Sequence, residues 1–183
     1  MKKVFLFSAC LLISLLCFSQ NDVRSDSLFN LIPLTKGDPC YTGVVNIENA
    51  DANTLYSRAK AFFAKRYKSA KDVIQMDDIS SYHIIGKAVY DYQGLGTLLH
   101  YTIDIQAKDS RFKYIISNMR ITINTLVMGV RVNRDDPFIE IFDDKGNKKK
   151  KPNKNLQNIN NHFLSLIEDL KLEMQSNTTN EDW

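Results

Sequence analysis

The sequence predicts an α+β domain of two layers, an antiparallel sheet of about five strands with two helices packed on one face. Three observations lead there. Segments near residues 53–68 and 155–175 repeat apolar side chains at helical spacing. The chain between them changes to a period of two, most regularly where Leu99, Tyr101, Ile103, Ile105 and Ala107 alternate with His100, Thr102, Asp104 and Gln106. Short turn-forming stretches separate these runs, as hairpin connections between antiparallel strands require.

Residues 1–19 read as a secretory signal peptide. Lys2 and Lys3 form a positive start, Val4 to Cys17 is almost unbroken apolar sequence, and Ser19 and Gln20 follow. The apolar run, about fourteen residues, is shorter than the roughly twenty that a spanning helix needs. Cleavage after Ser19 places Cys17 and Ser19 at the −3 and −1 positions. A lipoprotein signal competes with this reading. Half of the apolar run lies beyond Cys10, however, and the bulky Leu16 before Cys17 fits a lipobox poorly. A retained anchor is the third reading. The expectation is export to the periplasm, the cell envelope or the medium. No later stretch is long and apolar enough to span a bilayer.

Of 183 residues, about 164 remain after cleavage, enough for one domain with a sizeable core. The net charge of +3 includes Lys2 and Lys3. The near-neutral remainder is not the footprint of a nucleic-acid binder. Cys10 and Cys17 leave with the signal, so Cys40 stands alone and a disulfide framework is excluded. Because Cys40 directly precedes a predicted strand, burial as a small hydrophobe is favoured over pairing between chains.

Residues 20–40, with Pro33, Gly37 and Pro39, read as a mobile leader whose apolar patch (Leu28, Phe29, Leu31, Ile32) docks on the domain. The domain proper runs from 41 to 175. Val44, Val45 and Ile47 predict a strand, and Asn53 is the expected N-cap of a helix to about Lys68. That helix buries Leu55, Ala59, Phe62, Phe63 and Tyr67 as core. Val73 to Met76 predicts a short strand, Asp77 to Ser81 a turn, and Tyr82 to Tyr90 a longer strand, with a hairpin turn at Gln93 to Gly96. After the alternating strand 98–107, Asp109-Ser110 turns the chain into a strand from Arg111 to Asn124. There Phe112, Tyr114 and Ile116 keep one phase while Met119, Ile121 and Ile123 keep the other. This predicts a bulge near Ser117-Asn118, since one extra residue reverses every later side chain.

Residues 125–154 read as a variable insertion. Leu126 to Val132 and Phe138 to Phe142 are candidate strands of an extra hairpin turning at Asn133 to Pro137. Asp144 to Asn147 is a turn leading to the basic loop Lys148-Lys149-Lys150-Lys151. The last helix carries Leu156, Ile159, Phe163, Leu166, Ile167, Leu170 and Met174 on one stripe, and 176–183 is a polar tail.

Several segments together resemble a known family. Tyr41-Thr-Gly-Val-Val-Asn-Ile, Leu55-Tyr56 with Phe62-Phe63-Ala64, Val73-Ile-Gln-Met-Asp-Asp, Ile84-Ile-Gly-Lys and Arg111-Phe-Lys-Tyr are similar to the domain-of-unknown-function family 4468. The resemblance covers roughly residues 41–124, with weaker support from the final helix. It implies a TATA-binding-protein-like fold and export from Bacteroidota-type bacteria. It implies no catalytic residue, and the fold name does not imply DNA binding.

The search for chemistry leaves few candidates. His83, His100 and His162 are the only histidines, and no two stand at ligand spacing, so no metal and no cofactor is expected. Asp77-Asp78, Asp135-Asp136 and Asp143-Asp144 lack the alternating oxygens of a calcium loop. Gly94-Leu95-Gly96 lacks the context of a phosphate loop, and no nucleophile elbow is present. Two surfaces remain. His100, Thr102, Asp104 and Gln106 are expected on an open sheet face, and Lys148 to Lys151 are a candidate contact for anionic headgroups. The expected function is an exported, non-enzymatic domain binding an envelope protein, peptide or glycan through that face or a sheet edge. The alternatives are a small periplasmic hydrolase with a loop-built site, or an envelope assembly factor that dimerises through an edge strand.

Overall fold

The computed structural model describes residues 31–93, 97–127, 130–138 and 154–176. Residues 1–30, Gly94-Leu95-Gly96, residues 128–129, residues 139–153 with Lys148 to Lys151, and residues 177–183 lie outside them. Within the described residues the chain forms β1 (Leu34–Thr35), β2 (Asp38–Pro39), β3 (Tyr41–Asn46), α1 (Ala52–Arg66), α2 (Ala70–Val73), β4 (Ile74–Asp78), β5 (His83–Asp91), β6 (Thr97–Lys108), β7 (Arg111–Val127), β8 (Val130–Pro137) and α3 (Lys154–Gln175). β1 and β2 make a small hairpin of their own. The main sheet is antiparallel, in the order β3-β7-β6-β5-β4, with β8 also on β7. The fold is α+β, as the alternation and the two amphipathic stripes predict.

β7 is long enough to serve two neighbours along one side. Its first part, Arg111 to Ile116, pairs with β3, and Arg120 to Val127 pairs with β8. Between these parts lies the bulge. His100 pairs with Arg120 but Thr102 pairs with Ser117, so β7 carries one residue more than β6 over that step. Asn118 takes φ 55°, a left-handed conformation that asparagine tolerates better than most residues. The extra residue lets Phe112, Tyr114, Ile116, Met119 and Ile121 all reach the core.

α1 and α3 cover one face. Phe63, Leu55, Phe163, Leu156, Ile159 and Leu170 are buried against Ile84, Leu99, Ile103, Ile105, Phe112 and Ile121. Two glycines make room for aromatic rings, Gly86 for one of α1 and Gly43 for its cross-strand partner within the sheet. A Cβ on Gly86 would stand 2.4 Å from Phe63 Cε1, and one on Gly43 would stand 2.7 Å from the Tyr114 hydroxyl. Each glycine of the family-like segments thus seats an aromatic ring. At the start of α1 the Asp51 carboxylate accepts from Thr54 N–H at 2.7 Å, and Asp109 accepts from Ala52 N–H at 2.9 Å. Asp51 is therefore the N-cap, and the expected Asn53 lies inside the first turn. The sequence Asp51-Ala52-Asn53 offers two capping side chains, and the tie from Ala52 to the β6–β7 turn selects the earlier one.

Other expectations need correction. Within residues 31–40, Ile32 is buried in the core with Leu31 packed against it, as docking of the apolar patch requires, while the β1–β2 hairpin gives this stretch regular structure that the leader reading does not include. Leu28 and Phe29 lie outside the described residues. Cys40 is half-buried, and its N–H donates to Pro33 O at 2.9 Å. Ala70–Val73 is a single helical turn, so the short strand starts at Ile74 and runs through Asp77 and Asp78. The extra hairpin exists with a different register. Asn133 to Pro137 belongs to β8, and the chain reverses between Val127 and Val130. An edge strand tolerates Pro137, whose missing N–H costs nothing on an unpaired side.

Candidate functional site

The face opposite the helices is built by the side chains that the core does not claim. Directly paired residues share a face, so the register defines its rungs. One carries Asp78, His83, Gln106, Lys113 and Val44, and the next Met76, Ile85, Asp104, Ile115 and Thr42. Lys87, Thr102 and Ser117 follow, then Val89, His100 and Arg120. The four predicted residues His100, Thr102, Asp104 and Gln106 all project here, each half-buried between neighbours. Lys148 to Lys151 lie outside the described residues.

The polar groups of this face are largely engaged with one another. His83 Nε2 is 2.8 Å from Asp104 Oδ1 and 3.4 Å from Gln106 Nε2. His100 Nε2 is 2.9 Å from Thr122 Oγ1. Arg120 holds Asp135 with two bonds, Nε at 3.0 Å and Nη2 at 2.8 Å, and this hold lowers the Asp135 pKa. Around Lys87, Val89, His100, Thr102, Asn118 and Arg120 the face is hollowed into a shallow groove of about 540 Å³. Apolar side chains interrupt the polar ones, with Val44 62% and Val89 50% exposed. The arrangement presents mixed polar and apolar contacts over a broad surface.

The described aspartate pairs are engaged too, and Asp143-Asp144 lies outside the described residues. Tyr56 O–H donates to Asp77 Oδ1, and Lys60 Nζ stands 2.6 Å from Asp77 Oδ2. These two hydrogen bonds lower the Asp77 pKa, that from Lys60 most. The Asp78 carboxylate accepts from the Ser80 hydroxyl, the Ser81 hydroxyl and Ser80 N–H, which brings its pKa down to about 2. Asp136 pairs with Arg134 at 2.8 Å. Among the described residues no group of three histidine, cysteine or acidic side chains is placed to hold a metal ion.

The sequence reading missed a relay on the other side of the sheet. His162 of α3 stacks on Tyr90, its Nε2 lies 3.1 Å from the Tyr101 hydroxyl, and that hydroxyl lies 3.3 Å from the Tyr67 hydroxyl. Burial pushes the His162 pKa down to about 4, with the Arg66 charge adding to the effect. Burial likewise raises the pKa values of Tyr67 and Tyr101. With the imidazole neutral and its proton on Nδ1, Tyr101 donates to His162 Nε2 and Tyr67 donates to Tyr101; with the proton on Nε2, His162 donates to the Tyr101 hydroxyl. The hint was the place of His162 at the border of the α3 apolar stripe. Its convergence with Tyr67, Tyr90 and Tyr101 depends on tertiary packing.

Comparison with known proteins bears on the fold. The family described as a domain of unknown function (DUF4468) with TBP-like fold matches residues 41–122. A TBP-like protein from Parabacteroides distasonis superposes with a TM-score of 0.61 at 17% identity, over 80% of this chain and 98% of that one. A DUF4468 family protein from Bacteroides ovatus superposes with a TM-score of 0.56 at 16% identity, over 87% of this chain and 99% of that one. No curated protein matches the sequence. Residues 41–122 thus match the model of the DUF4468 family, a domain of unknown function with TBP-like fold, and the chain shares the TBP-like fold of these solved structures.

Proposed function

We propose that this chain is an exported, non-enzymatic binding domain that engages a protein, peptide or glycan partner through its open sheet face. The observation that carries the reading is the makeup of that face. Val44 and Val89 stand exposed among Ile85, Ile115 and Met76, and the helices pack on the other side. Exposed apolar side chains set among polar ones are the chemistry of a partner surface. The histidines and aspartates there pair with near neighbours across strands and do not aim at a common reacting centre, which favours binding over hydrolysis. Export rests on the pattern of residues 1–19. Among the described residues, no helix is long and apolar enough to cross a membrane.

The test is affinity capture from the native envelope with the tagged chain and a His100→Ala, Asp104→Ala, Gln106→Ala variant of equal thermal stability. The proposal expects a partner held by the wild type and lost by the variant. Equal capture by both, or capture of nothing, would remove it and turn attention to substrate screening.

A further inference from the structure

We infer that the β6–β7 hairpin end of the open face is a docking site for an acidic, extended peptide segment of a partner protein, an inference that rests on the open face being the binding surface. Two adjoining rungs carry it. Lys108 stands directly opposite Arg111, while Lys113 stands between Gln106 on one side and Val44 on the other. Like charges placed directly opposite destabilise a sheet. The Lys108–Arg111 rung therefore raises the energy of the unliganded face, and an anion placed there lowers it.

Among the described residues, none of these three cations has an ion-pair partner. The acids of the same face are held elsewhere, Asp104 by His83, Asp135 by Arg120, and Asp78 by Ser80 and Ser81. Glu48 and Asp109 border the far side of Arg111 without reaching ion-pair distance, and the Asp109 carboxylate accepts from Ala52 N–H. The free charge on this end of the face is positive.

The cations are arranged for a strand more than for a point ligand. Arg111 and Lys113 are two residues apart on one strand face, a spacing of about 7 Å. Carboxylates at alternate positions of an extended peptide repeat at the same distance. A compact phosphate would call for donors that converge on one place. Lys108, Arg111, Lys113 and Gln106 instead surround the exposed Val44 in a hollow of about 280 Å³. Carboxylates would meet the cations, and an apolar side chain of the peptide would cover Val44.

The experiment uses fluorescence anisotropy on the full chain with a labelled peptide of alternating Glu and Leu. A Gln-for-Glu peptide and vesicles containing phosphatidylglycerol serve as comparison probes. The Glu peptide is expected to bind, to weaken with salt, and to lose about tenfold or more in affinity against Arg111→Gln, Lys113→Gln. The charge-matched control Lys68→Gln, Lys71→Gln keeps the wild-type affinity. Absence of Glu-peptide binding, equal binding to the double variant, or equal binding of the Gln peptide would overturn the inference. So would binding to vesicles without binding to the peptide, which would assign the patch to lipid headgroups. Envelope capture that is lost with the His100, Asp104, Gln106 variant but unaffected by Arg111→Gln, Lys113→Gln would sink this inference and leave the binding face standing.

Discussion

The imidazole of His162 lies flat against the ring of Tyr90, with centroids 3.8 Å apart and planes 5° apart. The stack joins the last helix to the sheet, and it places a titratable ring in a region where charge is costly. With the His162 pKa pushed down to about 4 by burial, the unfolded chain takes up a proton near pH 6.5 that the folded chain refuses until about 4. Stability from this group is therefore complete above pH 6.5 and is lost as pH falls through that window. Allowing for partial contact with water, the loss is up to about 2 kcal/mol. Urea denaturation of the wild type and His162→Phe at several pH values checks this. The difference between the two curves should change between pH 6.5 and 4 and be flat above.

Gly86 marks a close fit between helix and sheet. An added Cβ would meet Phe63 Cε1 at 2.4 Å and Val73 Cγ1 at 3.2 Å, so Gly86→Ala must push the ring or the strand aside. The expected cost is about 1–3 kcal/mol, read as a lower urea midpoint with an unchanged slope. Combining Gly86→Ala with Phe63→Leu should destabilise less than the sum of the two single changes, because both act on one contact.

At the bulge the prediction reverses. Asn118 has φ 55° and is exposed, with its amide 3.4 Å from Thr102 Oγ1. Asn118→Gly should be neutral or stabilising by up to about 1 kcal/mol, since glycine enters this region freely. Asn118→Val should lose about 1–2 kcal/mol, because a β-branched side chain resists it. Thermal unfolding of the pair against wild type separates the two outcomes.

The parts of the fold that were legible in the sequence are those where one face is buried and the other is not. The alternation from Leu98 to Ala107 placed His100, Thr102, Asp104 and Gln106 on the outer face. The phase change between Ile116 and Met119 located the bulge. β8 gave no such pattern, because an edge strand with exposed Arg131, Asn133, Arg134 and Asp135 has no buried face to write into the sequence. Its Asn-Arg-Asp-Asp-Pro run therefore read as a turn. Partners across strands were equally hidden. His83 meets Asp104 and His100 meets Thr122 only through the register, and that depends on both hairpins at once.

The central claim is that the partner meets the open face, and site-specific photo-crosslinking in living cells tests it most directly. A photoreactive residue is placed at Val89, exposed beside the groove, and separately at Leu172, exposed on α3 of the opposite layer. A discrete protein or peptide adduct is expected from position 89 and none from position 172. An adduct from Leu172 with none from Val89 would contradict the claim, and would move the binding surface to the helices.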